Sequence, residues 1–339
     1  MIEIKKIPKI ELHNHLDGSV PLLTLKELAQ RNGQNYSLAQ ISELSQATHS
    51  KNLKEYLQKF DFPLRFLQTK DNLMLATQAI IAQAAKNGVI YLELRFAPTL
   101  HTHQGLNLDE VIAAISKGVL NAQQKYPIIV RLITIAMRDQ SETQAIATFA
   151  AGIKNDLVVG GDLAGEEVGY PPEKFVAAFS WAKDHDFPLT IHAGEDGGVK
   201  NIITAINYGA KRIGHGVAGK DQQSVIELAQ KYQVAFEICL KSNLDTQAIP
   251  NLAASPLRFY YDNQVAISIN TDDQTVSATD ENQEYQRALE TFNLSLNDFY
   301  QIDQMAVNAA FCDSATKIKL KQILKEKFQE FSFNPKKLD

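Results

Sequence analysis

The sequence predicts an α/β protein with a (β/α)8 barrel of the TIM type, and three observations support this fold class. Eight short runs typical of β-strands recur along the chain of 339 residues. Longer segments with apolar residues three and four positions apart separate them, which is helical spacing. The chain shows no internal repeat or obvious interdomain linker. Strands that alternate with helices favour a parallel sheet, and eight strands can close into a barrel; a doubly wound open sheet is the alternative.

The predicted strands follow from their β-rich composition. In chain order they are KIELH, VIYLELRFA, IIVRLITIA, LVVGGDL, PLTIHA, RIGHG, VAFEICL and VAISIN. They cover residues 9–13, 89–97, 128–136, 157–163, 188–193, 212–216, 234–240 and 265–270. Segments such as LDEVIAAISKGVLNAQQKY and QQSVIELAQKYQ lie between them and predict the crossover helices.

Residues 20–86 separate the first two predicted strands by more than one crossover needs. They contain NLKEYLQKFDFPLRFLQT and predict an extra helical insertion after strand 1. This insertion can be additional core or the apolar wall of a ligand pocket. Barrel enzymes build their sites at the C-terminal ends of the strands, which supports the second interpretation. It predicts that residues facing the ligand are found among Leu53, Leu57, Phe60 and Phe62.

Composition excludes several classes of function. The net charge of −5 gives no support to binding of nucleic acid or of a membrane surface. The N-terminal residues lack the apolar core of a signal peptide, and no run of 18 apolar residues predicts a membrane span. The two cysteines, Cys239 and Cys312, lie in apolar runs and predict buried thiols in a reducing compartment. We therefore expect a cytoplasmic protein.

Ionisable residues recur where the predicted strands end. The fourth strand is followed by AGEE. Further ionisable residues stand at the ends of the first, fifth, sixth and eighth strands or directly after them. They are His13, His15, Asp17, His192, Glu195, His215, Asp272 and Asp273. Because these ends meet on one face of a barrel, the side chains are predicted to form one site.

Each position also has an ordinary structural explanation. A lone histidine such as His215 can be a hydrogen-bonded structural residue, and Glu195 can lie in a solvated loop. Asp272 and Asp273 can cap a helix. We favour one site because four of the eight strands would otherwise end in such residues by chance. For the second His-x-His pair in TLHTHQGL, His101 and His103, we predict exposed loop residues.

The cluster suits one zinc ion. Three imidazoles and one carboxylate favour Zn²⁺ over Mg²⁺ or Ca²⁺, which prefer shells of oxygen. The chain has no Cys-x-x-Cys motif, which excludes a structural thiolate site and the zinc site of cytidine-type deaminases. The predicted ligands are His13, His15, His192 and Asp272, with room left for water.

The remaining residues suit the chemistry of a zinc-activated water. His215 can orient the hydroxide or shuttle its proton. Glu195, three residues after a predicted ligand, can act as a proton donor if its surroundings raise its pKa. Gly165 lets the backbone approach a flat ligand, to which its amide can donate.

Five motifs together resemble the adenosine deaminase family of zinc hydrolases. They are PKIELHNHLDGSV, DLAGEE, TIHAGE, RIGHG and SINTDD, and they span residues 8–273 in the order of that family. LKEYLQKFDF and YLELRFAP match its less polar regions. The resemblance implies a single metal-dependent hydrolase barrel domain over residues 1–339 with one zinc ion. It also implies deamination of adenosine and 2′-deoxyadenosine to inosine and ammonia, through attack of zinc hydroxide at C6.

The resemblance further implies the roles of individual residues. Glu195 would donate a proton to purine N1, and His215 would position the hydroxide. The implied contacts to substrate are His15, Asp17 to the ribose 5′-hydroxyl, Gly165 to N3 and Asp273 to N7. The expected partner is a small nucleoside of purine metabolism and salvage. No obligate protein partner is evident.

Two departures and three alternatives accompany this prediction. Leu240 and Gln274 stand where proline is common in the family. A deaminase of adenine or another 6-aminopurine is the main alternative, but such relatives typically carry glutamate at the position of Asp17. An inactive purine-binding protein would lack a ligand or Glu195. A zinc phosphoesterase would need basic residues that the strand ends do not offer.

Overall fold

The structure, a computed structural model, describes residues 3–47 and 50–330. It contains one sheet of eight parallel strands in the order β1 to β8, each bonded to the next. The strands are β1 (Lys9–His15), β2 (Val89–Phe96), β3 (Ile129–Met137), β4 (Val158–Ala164), β5 (Leu189–Ala193), β6 (Arg212–His215), β7 (Ala235–Ile238) and β8 (Ile267–Ile269). The predicted (β/α)8 barrel is confirmed, with strand ends shifted by up to two residues.

The barrel closes through the backbone of one residue beyond β8. The amide of His15 donates to the carbonyl of Asp272 over 2.8 Å, and the amide of Asp272 donates to the carbonyl of His13 over 2.9 Å. These bonds form a parallel bridge between β1 and residue 272. The backbone of Asp272 is left-handed, with φ of 62°.

Helices alternate with the strands and pack on them, as α7 does on β3 and α9 on β5. None of the helices in the described part of the chain is both long and apolar enough to cross a membrane. The helices are α1 (Leu22–Arg31), α2 (Leu38–Ser45), α3 (Leu53–Leu57), α4 (Asp61–Leu64), α5 (Lys70–Lys86), α6 (Leu108–Gln123), α7 (Glu142–Gly152), α8 (Val176–Asp184), α9 (Val199–Asn207), α10 (Gln223–Tyr232), α11 (Leu240–Asp245), α12 (Leu257–Asp262), α13 (Glu281–Phe292), α14 (Leu296–Ala309) and α15 (Ser314–Gln329).

Helices α1 to α4 lie between β1 and the crossover helix α5. Side-chain caps begin several of these helices: Ser37 accepts from the amide of Gln40 at α2, and Asn52 accepts from that of Glu55 at α3. Such caps satisfy amides that have no partner within the helix. We call residues 53–64, which include α3 and α4, the cover segment.

The barrel interior contains a network of buried ion pairs. Arg95 contacts Asp162 over 2.8 Å and Glu237 over 2.9 Å, and all three side chains are fully buried. Arg212 lies 2.5 Å from Glu93 and 2.6 Å from Glu237. Burial by itself would raise the pKa of Glu237, but Arg95 and Arg212 hold that pKa well below its usual range. Glu237 is therefore ionised.

Removing Arg212 should destabilise the fold strongly. Arg212→Met removes the buried cation that pairs with Glu93 and Glu237. The loss of such a partner lowers the free energy of unfolding by about 3–5 kcal/mol. Urea unfolding followed by circular dichroism measures the free energy. Arg131→Met is the control, because Arg131 is partly exposed and 4.0 Å from Asp313; we expect a change of at most about 1 kcal/mol. Equal losses in the two variants would contradict the role of the network.

Candidate active site

A cavity of about 330 Å³ opens at the C-terminal ends of the strands. Of the predicted site residues, all except His13 line it; His13 lies fully buried behind the others. Those that line it are His15, Asp17, Gly165, His192, Glu195, His215, Asp272 and Asp273. The structure thus brings together residues that are up to 260 positions apart in the sequence.

Three imidazoles and one carboxylate converge at the base of this cavity. His15 Nε2 lies 3.3 Å from the Nε2 atoms of both His13 and His192. Asp272 Oδ1 lies 3.0 Å from His13 Nε2 and 3.2 Å from His15 Nε2. Tetrahedral zinc with bonds of about 2.0–2.1 Å separates its ligands by about 3.3 Å. The spacing of these four groups fits such an ion.

Buried carboxylates orient two of the imidazoles. His13 Nδ1 lies 2.7 Å from Glu237, and His192 Nδ1 lies 3.1 Å from Asp162. Since carboxylates accept, each Nδ1 donates and each Nε2 turns a lone pair to the centre. Burial lowers the pKa of His13, and it lowers that of His192 to about 3, so both rings are neutral. Asp272 Oδ1 is buried and accepts no hydrogen bond. The lone pairs of His13 and His192 and this oxygen of Asp272 therefore meet at one point, which fits a bound cation.

His215 lies beside these four groups, but a different nitrogen of its ring carries the proton. Ligand atoms of His13, His192, His215 and Asp272 all lie within 4.8 Å of one another, so distance alone allows His215 as a ligand. However, the side-chain amide of Asn243, on α11, donates through Nδ2 to His215 Nδ1 over 2.9 Å. The proton of the neutral ring is then on Nε2, which can donate but not ligate. The hydrogen bond therefore favours His15 over His215 in the ligand set.

Glu195 is held by a second buried glutamate. The carboxylate of Glu167 accepts from the amides of Gly194 over 2.9 Å and Glu195 over 2.8 Å, and from the side chain of Asn201 over 2.8 Å. Thr246 Oγ1 donates to Glu195 Oε1 over 3.1 Å. Burial raises the pKa of Glu195 to about 8, and repulsion from nearby carboxylates adds to the effect. Glu195 is therefore protonated at neutral pH and can donate.

Three further predicted residues also line the cavity. Asp273 follows the barrel-closing residue Asp272 and is 3% exposed. Asp17 is buried near the end of β1. Gly165 follows β4 with φ of 106°, a conformation that favours glycine and brings the backbone to the cavity surface.

The cover segment forms an apolar side of the cavity. Leu53, Leu57 and Phe60 line it, as the pocket-wall interpretation predicts. Phe62 does not: it is 2% exposed in the main core, with its ring 5.2 Å from that of Phe66. Periodicity could not separate these residues, because a short 3₁₀ helix at Gln58–Phe60 changes the helical register before α4.

The prediction for the second His-x-His pair is half wrong. His103 is exposed, but His101 is fully buried, and its Nδ1 lies 2.9 Å from the carbonyl of Leu67. The cause is the 3₁₀ helix Pro98–His101, which turns the ring against the end of the insertion. Gln68 donates to the carbonyl of Leu100 in the same contact. His101 therefore anchors the insertion to β2.

The sequence model of the adenosine deaminase family matches residues 8–327. The chain belongs to the adenosine deaminase family. It is similar to the adenosine deaminase of Enterococcus faecalis, with 37% identity over 326 residues that cover 94% of this chain and 96% of that protein. It is also similar to the adenosine deaminase of Lactococcus lactis, with 36% identity over 337 residues that cover 97% and 96%. Membership identifies the chain as a hydrolytic deaminase.

A solved structure with metal shows the same fold. It is an amidohydrolase from Burkholderia ambifaria with bound zinc, with a TM-score of 0.88 and 25% identity. The match covers 97% of this chain and 92% of that chain. That amidohydrolase therefore holds zinc in a fold that this chain shares.

Several important residues were not predicted. Asp162, Glu167, Glu237 and Asn243 do not face the cavity as a ligand would, but they orient the side chains that do. Asp162 and Glu167 lie in DLAGEE, whose recurrence of acids was a usable signal. Glu237 was hidden in the apolar run VAFEICL, where a charged residue requires a buried partner.

Weakening the support of Glu195 should reduce deaminase activity. Glu167→Gln replaces one acceptor oxygen by a donor amide, which cannot accept from all of the groups now bonded to Glu167. We expect kcat/KM to fall about 10-fold or more, the scale of a lost bond to a charged group. The metal content should not change. Glu166→Gln, at the exposed neighbour, is the control and should stay within about 2-fold. Equal activity of the two variants would contradict the supporting role.

Proposed function

We propose that this protein deaminates adenosine and 2′-deoxyadenosine to inosine and ammonia, with one zinc ion per chain. The observation that carries the proposal is the convergence of four ligand groups and two proton-transfer groups in one cavity of a chain from this family. The most similar relatives described above act, by name, on adenosine. A cytoplasmic role in purine salvage is consistent with two free, buried cysteines.

In this proposal His13, His15, His192 and Asp272 hold the metal. The spacing of the four groups, the neutral rings of His13 and His192 and the unpartnered Oδ1 of Asp272 fit it. Zinc bound there would supply the Lewis acidity that activates water at neutral pH. Glu237 and Asp162 keep the rings of His13 and His192 in the ligating tautomer.

The protein's own residues then bind and protonate the purine. His215 Nε2–H donates to the attacking oxygen and orients it toward C6. Protonated Glu195 donates to N1 and makes C6 more electrophilic. Asp273 binds N7, and the amide of Gly165 binds N3. Together these contacts fix the plane of the purine ring at the bottom of the cavity.

The charged residues that line the cavity favour a nucleoside over a nucleotide as substrate. Asp17, Asp61 and Asp139 line it, and among the described residues around it there is no lysine or arginine. A carboxylate can accept from a ribose hydroxyl but repels a 5′-phosphate. Adenine offers no ribose for Asp17 to hold. The adenine alternative is therefore not favoured.

The choice of substrate is tested with adenosine, adenine and AMP, by following the purine absorbance. We expect adenosine to be the best substrate of the three. Asp17→Ala should lower kcat/KM for adenosine much more than any residual kcat/KM for adenine, because only adenosine has the 5′-hydroxyl. A wild-type preference for adenine, or an equal loss for both substrates, would replace the nucleoside assignment by the adenine one.

The metal assignment is tested by metal analysis of purified protein, with about one zinc per chain expected. His192→Ala should lose most of the metal and the activity together. Glu195→Gln is the matched variant: it should keep the metal and lose at least about 10²-fold in turnover, because it removes only the proton donor. Two ions per chain, or full occupancy in His192→Ala, would refute this ligand set.

A further inference from the structure

The hydroxyl of Tyr56, on α3, reaches a residue of the opposite wall. It donates to Asp273 Oδ2 over 2.9 Å and lies 2.8 Å from Ser277 Oγ. A phenol has one proton, so Ser277 donates to the Tyr56 oxygen while Tyr56 donates to the carboxyl group of Asp273. Tyr56 is 2% exposed and lines the cavity beside the residues that would hold the base.

This bond makes the two oxygens of Asp273 different. Oδ2 is held by Tyr56, whereas Oδ1 is buried and has no hydrogen-bond partner. A Cβ atom added to Gly18 would lie 1.8 Å from Oδ1, so the carboxylate lies directly against the backbone of Gly18. The group is thus fixed between a glycine on one side and a phenol on the other, with one oxygen unused.

Tyr56 also connects the cover segment to the loop after β8. With Ala47 and Val276 it forms an apolar cluster that is separate from the main core, and Leu53, Leu57 and Phe60 pack on it. The amide of Ala47 donates to the carbonyl of Val276 over 2.7 Å. The apolar side of the cavity and the loop of Asp273 are therefore joined at this cluster.

We propose that Tyr56 is a positioning residue that aligns Asp273 Oδ1 with the imidazole nitrogen N7 of the bound purine. N7 has a lone pair and no hydrogen, so the carboxyl group donates to it through a proton on Oδ1, while Oδ2 accepts from Tyr56. Seating of the cover segment and alignment of this polar contact are then one event, because the same side chain does both. The inference rests on the proposed function, since it concerns recognition of the base. If the hydroxyl of Tyr56 only stabilised the fold, the effect of removing it would not depend on Asp273.

The test is Tyr56→Phe, which removes only the hydroxyl. We expect kcat/KM for adenosine to fall about 5- to 10-fold, because the hydrogen bond that aligns Oδ1 is lost, with unchanged zinc content. In an Asp273→Ala background the same substitution should cost less than about 2-fold, because the group that it positions has been removed. Tyr36→Phe is the matched control: its hydroxyl donates to Gln34 on the exposed side of the insertion, and we expect no effect.

Competitive inhibition gives a second measurement that needs no turnover of the analogue. Tyr56→Phe should weaken inhibition by inosine several-fold but leave inhibition by 7-deazainosine, which lacks N7, unchanged. Three outcomes would overturn this inference without touching the proposed function. They are full activity of Tyr56→Phe, an equal loss in the Asp273→Ala background, and equal weakening of both inhibitors. Absence of adenosine turnover by the wild-type protein would instead refute the proposed function, and the inference with it.

Discussion

The backbone bridge between Asp272 and β1 is the constraint on which the rest of the site depends. The amide of Asp272 donates to the carbonyl of His13, and its carbonyl accepts from the amide of His15. These bonds close the barrel and place the Asp272 side chain against His13 and His15. Closure of the sheet and assembly of the histidine and aspartate cluster are therefore the same event. The left-handed backbone of Asp272 is disfavoured for a residue with a side chain, and the two bonds of the bridge offset that strain.

A second layer of charge lies beneath this cluster. Arg95 is shared by Asp162 and Glu237, and each of these carboxylates also orients an imidazole. Burying so many charges is unfavourable unless each is paired and hydrogen-bonded. The network thus does two things at once: it keeps the barrel interior electrically balanced, and it fixes which nitrogen of each ring faces the cavity. Stability and function cannot be separated at these positions.

The sequence was sufficient for the fold and for most of the residues that line the cavity. Alternating strands and helices specify the barrel, and barrel geometry brings strand ends together without any knowledge of side-chain conformations. It was not sufficient for Glu167, Asn243 or Tyr56, whose roles depend on which hydrogen bonds form across the folded chain. The same limit explains His101, which a short 3₁₀ helix turns inward, and Phe62, which a change of helical register directs into the core.

The separate apolar cluster around Tyr56 has a consequence for dynamics. Cooperative units with few buried contacts open at a lower free energy than the whole domain. Among the described residues the cluster contains three buried apolar side chains, Ala47, Tyr56 and Val276, whereas the main core contains most of the others. We therefore expect the cover segment to open at a lower free energy than the barrel with its bridge at Asp272. A ligand that contacts the segment should then raise the protection of its amides against hydrogen exchange.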